Sequence, residues 1–343
     1  MFKSTQGFNS SLFGSFAYEP IITRHENHLL VRMNRLIDWS FIEEEAADCY
    51  SEKGQHAFNP ALLLKLLVIQ ELYDLSERDT CVNTDCNLIF RYFVGLGLDE
   101  EAPHWTDLGK FKARLGTARL ENLFFRVLDE AERLGIKLSK QRVADATDIK
   151  ANVDLTRCAK DKRADDDHHY IDRNSSDPDA SFGSKGHGKK SWYGYKSHIN
   201  LDPTVALVTA VSTTDASVPD GQVLITLVDQ EREHRGEDAI RRQGGDKGYV
   251  GNTEALQDRA ILDYTIPRDN MKAAIARLGR NPHYRHLKHQ RYKIEQKQGE
   301  AKHHHHLGLA RYRGRWKVHW QGLLTYLALN LKRITNLACP VPA

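Results

Sequence analysis

Three acidic side chains, Asp145, Asp246 and Glu295, sit in contexts that suit metal-assisted chemistry at phosphate. Asp145 falls in a run where Val143, Asp145, Thr147 and Ile149 alternate with Ala144, Ala146 and Asp148, the period of a strand. Asp246 opens the segment DKGY, and Glu295 lies in the helical pattern RYKIEQKQGEAK. In-line attack at a phosphodiester is served by two divalent ions roughly 4 Å apart, one activating the nucleophile and the other stabilising the leaving oxygen. Magnesium prefers hard oxygen ligands and keeps several waters, so three carboxylates from different elements suit it, with manganese as a substitute. Separations of 101 and 49 residues leave room for a sheet and its crossovers to bring the three together. Asp148 competes with Asp145, but its strand parity is opposite, so a regular strand cannot turn both toward the same ions.

Cations accompany these acids. Arg291 precedes Glu295 by one helical turn and Lys302 follows by about two, so both share a similar face with it and could hold phosphates beside the metals. The chain is near neutral overall, at +3, yet from Arg268 to Arg333 sixteen Lys and Arg stand against only Asp269, Glu295 and Glu300. Such a field neutralises phosphates. Candidate contacts are Lys247 after Asp246; Arg311, Arg313 and Arg315 around Gly314; and Lys110, Lys112 and Arg114 on one side of an earlier helix. Tyr249 could stack on a base or pack in the core. Trp192, Tyr193 and Tyr195 suit a sheet better than a ligand, and adjacent histidines from His303 to His306 cannot all face one ion from a helix.

The elements that must position these groups divide the chain. Residues 1–20 lack periodicity and read as a flexible arm. Residues 21–140 are helical in pattern: Leu29 to Ile42, an apolar helix opened by Asn59-Pro60, a capping box at Ser76 and Asp79, a helix from Asp107 capped by Thr106, and a long one ending at Gly135. From Gln141 the pattern becomes strand, and residues 141–337 read as an α/β domain. A polar stretch near 157–190 looks like a mobile loop. Strands are expected at Trp192–Leu201 and Val205–Thr213, divided by Asp202-Pro203, and at Ile261–Ile266. Helices are expected from Gly221 to Val228, from Pro282 to about Lys297 and from Trp316 to Arg333. The residues before Asp246, Arg241 to Gly245, are poor strand formers. No apolar run approaches the roughly 18–20 residues of a membrane helix. The N-terminal residues have no signal-peptide pattern, and five cysteines without a CxxC pair point to the cytoplasm.

Taken in order, DATDIKANV, DPDASFGSKGHGKKSWYGYKSH, VSTTDASVPDG, GDKGYVGN and RYKIEQKQGEAKHHHHLGLARYRG resemble the DDE transposases of bacterial insertion sequences. FNPALLLKLLVIQELYDLSERDT and FRYFVGLGLDEEAPHWTDLGKFKARL resemble their N-terminal domain, so the likeness covers about residues 25–335. It implies an α/β fold, a ribonuclease H-like mixed sheet with flanking helices, preceded by an all-α domain for DNA binding and dimerisation. It also implies that Asp145, Asp246 and Glu295 bind two magnesium ions, and that the family's tyrosine-arginine-glutamate-lysine signature falls on Arg291, Glu295 and Lys302. Lys288 stands where that signature has tyrosine, with Tyr284 and Tyr292 nearby; it joins the expected DNA contacts. The implied activity is binding of double-stranded DNA at the element's inverted repeats, cleavage, and strand transfer into target DNA. A homodimer at the bacterial nucleoid, with no membrane partner, would carry it out. A catalytically inactive DNA-binding copy, or a nuclease without strand transfer, is the alternative; convergence of the three carboxylates discriminates.

Overall fold

The computed structural model describes residues 12–50, 57–157, 170–185 and 190–341. The chain forms two compact units, Met1–Ile136 with Leu327–Ala343, and Lys137–Tyr326. Among the described residues the first unit is helical: α1 (Leu12–Arg24), α2 (Leu29–Leu36), α3 (Ser40–Ala46), α4 (Pro60–Leu72), α5 (Glu77–Cys86), α6 (Leu88–Val94) and α7 (Trp105–Arg133). α4 starts where Asn59 accepts a hydrogen bond from the Ala61 N–H, with Pro60 in the first turn, where a missing N–H costs nothing. Leu64, Leu66, Leu67, Val68 and Ile69 are all fully buried, so α4 is the centre of this unit. α5 opens with the expected box: the Asp79 N–H donates to Ser76 Oγ at 3.0 Å, and Ser76 donates to the Asp79 carboxylate at 2.6 Å. α7 begins earlier than expected, capped by His104 rather than Thr106. It breaks at Gly116, whose φ of 71° only glycine adopts readily. The arm expected over residues 1–20 is helical from Leu12; residues 1–11 lie outside the described residues.

The second unit is built on a six-stranded sheet among the described residues: β1 (Gln141–Lys150), β2 (Ser181–Lys185), β3 (Lys190–Asp202), β4 (Leu207–Asp215), β5 (Arg242–Gly244) and β6 (Leu262–Asp263). β3 runs antiparallel to β1, β2 and β4, while β5 lies parallel to β1, and β6 parallel to β5. The helices are α8 (Tyr170–Asn174), α9 (Leu224–Arg235), α10 (Thr253–Gln257), α11 (Lys272–Gly279), α12 (Pro282–Gln290), α13 (Tyr292–His304) and α14 (Arg315–Ala338). α14 runs beyond the unit; from Leu327 onward the chain groups with the helices, whereas the sequence placed everything to 337 in the second domain. There Arg32 donates to the Cys339 carbonyl and to Asn336 Oδ1.

Strand parity sorts the sheet into layers. Ala144 faces α9, in an apolar core with Ala210, Leu224, Leu227, Val228 and Tyr249. The opposite face, with Asp145, Thr147 and Ser197, meets α14, where Gly322 comes close to Ser197, Thr213 and Val211. Four strands joined by antiparallel pairing, followed by two added in parallel, between helices on both faces, make the mixed sheet of a ribonuclease H-like domain. At its base Arg142, fully buried, donates twice to Glu231 of α9 at 2.8 and 2.5 Å and once to Asp202 at 3.3 Å.

Several boundaries differ from the sequence reading. The strand expected at Ile261–Ile266 shrinks to Leu262–Asp263, because only two rungs find β5. The single helix expected from Pro282 becomes α12 and α13, broken at Arg291. Of the polar stretch near 157–190, residues 158–169 and 186–189 lie outside the described residues, while α8 and β2 are regular. The unpromising Arg241 to Gly245 does form β5, and packing explains its glycines. A Cβ on Gly244 would stand 2.9 Å from Leu287, and one on Gly245 3.0 Å from Tyr249.

Candidate active site

β1 and β5 pair in parallel, with Gln141 opposite Arg242 and Val143 opposite Gly244. That register is an offset of 101 residues, the separation of Asp145 from Asp246, so both lie two positions past the same rung. Neighbouring strands are about 4.8 Å apart and residues two apart share a face, which puts the two positions side by side, Asp145 in the middle of β1 and Asp246 two residues past the end of β5. Asp246 has extended backbone and opens the short turn Lys247–Tyr249, its Oδ1 accepting the Gly248 N–H at 2.8 Å. That bond fixes the carboxylate on its own turn. Glu295 comes from the first turn of α13, which packs on β1.

Electrostatics ties these groups together. Burial pushes the Asp145 carboxyl up to about 6; its Ala146 N–H bond and the Arg291 charge oppose this, and the charges of Asp246 and Glu295 add to it. Asp246, Glu295 and Arg291 therefore all lie close enough to Asp145 to act on its charge. Arg291, at the break between α12 and α13, donates to Glu295 Oε1 at 2.9 Å, as the four-residue spacing predicts. Its Nε is buried without a partner. Among the described residues, no three His, Cys, Asp or Glu side chains already stand close enough to hold one ion. Glu295 is engaged instead by the Arg291 guanidinium. The three candidate acids offer only carboxylate oxygen, the donor type that hard divalent ions prefer, and burial disfavours the charged form of Asp145.

The expected DNA contacts occupy varied surroundings. Lys302 pairs with Asp148 at 2.9 Å and is mostly enclosed, so it braces α13 against β1. Asp148, the competitor of Asp145, is thereby engaged. Lys247 is exposed beside Asp269. Lys288 and Arg291 line a shallow cavity of about 530 Å³ with Ile266, Arg285, His289, Tyr292 and Glu295. Of the two nearby tyrosines, Tyr292 opens onto this cavity, while Tyr284 is buried against Tyr264. Arg311, Arg313 and Arg315 precede or begin α14 on a segment tied to the end of β1, where the Lys150 N–H donates to the Gly308 carbonyl and the Ala310 N–H to Lys150. Arg313 and Arg315 are exposed and Arg311 is half-buried. In the helical unit, Lys110 is exposed beside Asp107, Lys112 is bound to Glu77, and Arg114 lies 4.5 Å from the Tyr50 ring centre. Tyr249, Trp192, Tyr193 and Tyr195 are all buried. His303 and His304 are exposed whereas His305 is buried, so the histidine run does not converge.

Two roles were missed in the sequence. Asp177 Oδ1 accepts from Tyr195 Oη at 2.7 Å and from the Gly314 N–H at 3.0 Å, and Asp179 accepts from the Arg315 N–H at 3.0 Å. The DPD segment thus caps α14 and holds the arginine segment, a task that no local spacing announces. Asp220, at the end of VPDG, has the second such role: its carboxylate lies near the Asp246 turn.

Residues 138–331 match a family described as a transposase DDE domain, and residues 18–114 one described as a transposase domain (DUF772). No solved structure matches the chain. No helix among the described residues is long and apolar enough to cross a membrane.

Proposed function

Since the chain belongs to the DDE transposases of insertion sequences, an enzyme family, we propose that Asp145, Asp246 and Glu295 are its catalytic carboxylates and that it cuts and joins DNA at the ends of its own element. The observation that carries this reading is the shared register of Asp145 and Asp246 on parallel strands, with Glu295 in the same field. The three would hold magnesium, or manganese in its place. Bound there, the ions would activate a water or a DNA 3′-hydroxyl as nucleophile and neutralise charge on the leaving oxygen.

The protein's own residues prepare that step. The β-sheet would fix Asp145 within β1, and the turn that follows β5 would present Asp246, whose carboxylate accepts the Gly248 N–H. Arg291 keeps Glu295 beside the site and presents a buried, unpartnered Nε that suits a phosphate oxygen. Lys247, Lys288, Arg311, Arg313 and Arg315 would track the DNA backbone, with a smaller share for the enclosed Lys302. Lys110, Lys112 and Arg114 would serve end recognition from the helical unit, Lys112 chiefly by ordering α5 against α7. A homodimer would bring two inverted repeats together, at the nucleoid in the bacterial cytoplasm.

The test is cleavage of a labelled duplex carrying an element end and its flank, with magnesium or manganese, for wild type and Asp246→Ala. Loss of cleavage with retained binding supports the reading. Binding without cleavage by the wild type in either metal overturns it and leaves a DNA-binding protein; cleavage without joining leaves a nuclease.

A further inference from the structure

The Asp246 turn is held from below by a second turn, Asp220–Val223, that follows β4. Lys196, in the middle of β3, donates to Asp220 Oδ1 at 2.9 Å and to the Val218 carbonyl at 2.8 Å, and both charged side chains are largely enclosed. This pins the turn to the sheet. The two turns then touch through glycine. A Cβ on Gly221 would stand 2.9 Å from the Gly248 carbonyl oxygen, and Asn252 Nδ2 bridges the Gly221 and Tyr249 carbonyls at 2.9 Å each.

The Asp220 oxygen that does not take the Lys196 bond reaches the Asp246 turn at Gly248. The Cβ position of Gly248 lies 3.0 Å from Asp246 Oδ1 and 3.8 Å from Asp220 Oδ2, so those two oxygens are no farther apart than these distances combined. Beneath them the Tyr249 hydroxyl is buried without a partner, in the field of Asp220, Asp145 and Asp246. A fourth carboxylate beside a catalytic one repels it unless its charge is balanced, and Lys196 supplies that balance.

We infer that Asp220, paired with Lys196, is a positioning residue that sets the orientation of Asp246 and the balance of fixed charge around it for metal binding. The inference rests on Asp246 being a site carboxylate. Neither Asp220 nor Lys196 touches the reacting phosphate in this account. Asp220→Asn keeps the shape but leaves Lys196 an uncompensated cation beside the site; Lys196→Met leaves Asp220 an uncompensated anion. Each disturbs the same balance by a different route.

The experiment uses the full chain with a labelled element end. It compares wild type, Asp220→Asn, Lys196→Met, the double variant and Asp246→Ala, measuring duplex affinity, single-turnover cleavage against magnesium concentration, and manganese binding by calorimetry without DNA. For Asp220→Asn the expected result is duplex affinity within about twofold of wild type, a cleavage rate lower by at least about tenfold, and a manganese affinity changed by at least about threefold. The double variant should be no worse than the more damaged single one, as coupled partners behave. Wild-type cleavage and manganese binding in Asp220→Asn overturn the inference. So does a loss of cleavage with manganese binding intact, because a merely structural brace would give that. If Asp220→Asn does not fold, Asp220→Glu, which keeps charge and pairing, takes its place and should restore manganese binding; its failure to do so also counts against the inference. Full activity of Asp246→Ala would instead refute the proposed catalytic site, whatever Asp220 does.

Discussion

Asp145→Asn should make the protein more stable at neutral pH while removing its activity. In the folded chain burial holds the Asp145 carboxyl at about 6, against an ordinary value near 3.8. Between those values the folded protein keeps a proton that the unfolded chain has released, so stability falls as the pH rises through this window. The cost is absent below the unfolded value and fully present above about 6. At about 1.4 kcal/mol per tenfold change in acidity, the charged carboxylate costs about 3 kcal/mol at neutral pH. Asparagine keeps the shape and the Ala146 contact geometry but cannot ionise. Urea unfolding followed by tryptophan fluorescence, without divalent ions, should find the variant more stable by up to about 3 kcal/mol near pH 7.5 and by nothing near pH 4. Excess magnesium should stabilise wild type selectively and narrow the gap. A gain that is the same at both pH values, or no gain near neutrality, would refute the reasoning.

Other consequences follow from particular contacts. Gly194→Ala would drive a Cβ to 2.1 Å from the Ile149 carbonyl oxygen of β1 at a φ of 155°; a loss of more than about 3 kcal/mol is expected in chemical denaturation, with β1 and β3 separating. Glu231→Gln leaves the fully buried Arg142 with Asp202 as its one carboxylate partner among the ion pairs described, which should cost about 3 kcal/mol by the same measurement. Arg313→Gln removes an exposed cation from the arginine segment, so duplex affinity measured across a salt series should drop and its salt slope flatten by about 1, uniformly across sequences.

Much of the site was legible because strand parity and parallel register are arithmetic properties of a chain. Asp145 alternates with Ala144 and Ala146, and its 101-residue separation from Asp246 is the register of β1 on β5. Helical spacing likewise delivered the Arg291 to Glu295 pair. What was illegible depends on contacts between distant elements. Gly244 and Gly245 read as strand breakers until Leu287 and Tyr249 are seen against them. Lys302 read as a DNA contact because helical spacing cannot reveal Asp148 beneath it. The break at Arg291 shows neither glycine nor proline, so nothing local distinguishes α12 and α13 from one helix. Asp177 and Asp179 reach the start of α14, and Asp220 reaches Lys196, across more than twenty residues, beyond any periodicity.

The most direct test of the central claim is iron-mediated backbone cutting. Ferrous ion replacing magnesium, with ascorbate and peroxide, cleaves the chain beside whatever residues surround it, and mass spectrometry locates the cuts. Three sites are predicted, near Asp145, Asp246 and Glu295, all suppressed by excess magnesium and lost together in Asp145→Asn. Cuts elsewhere, such as at the His303 to His306 run, or cuts that persist in that variant, would contradict a metal site built from these three carboxylates.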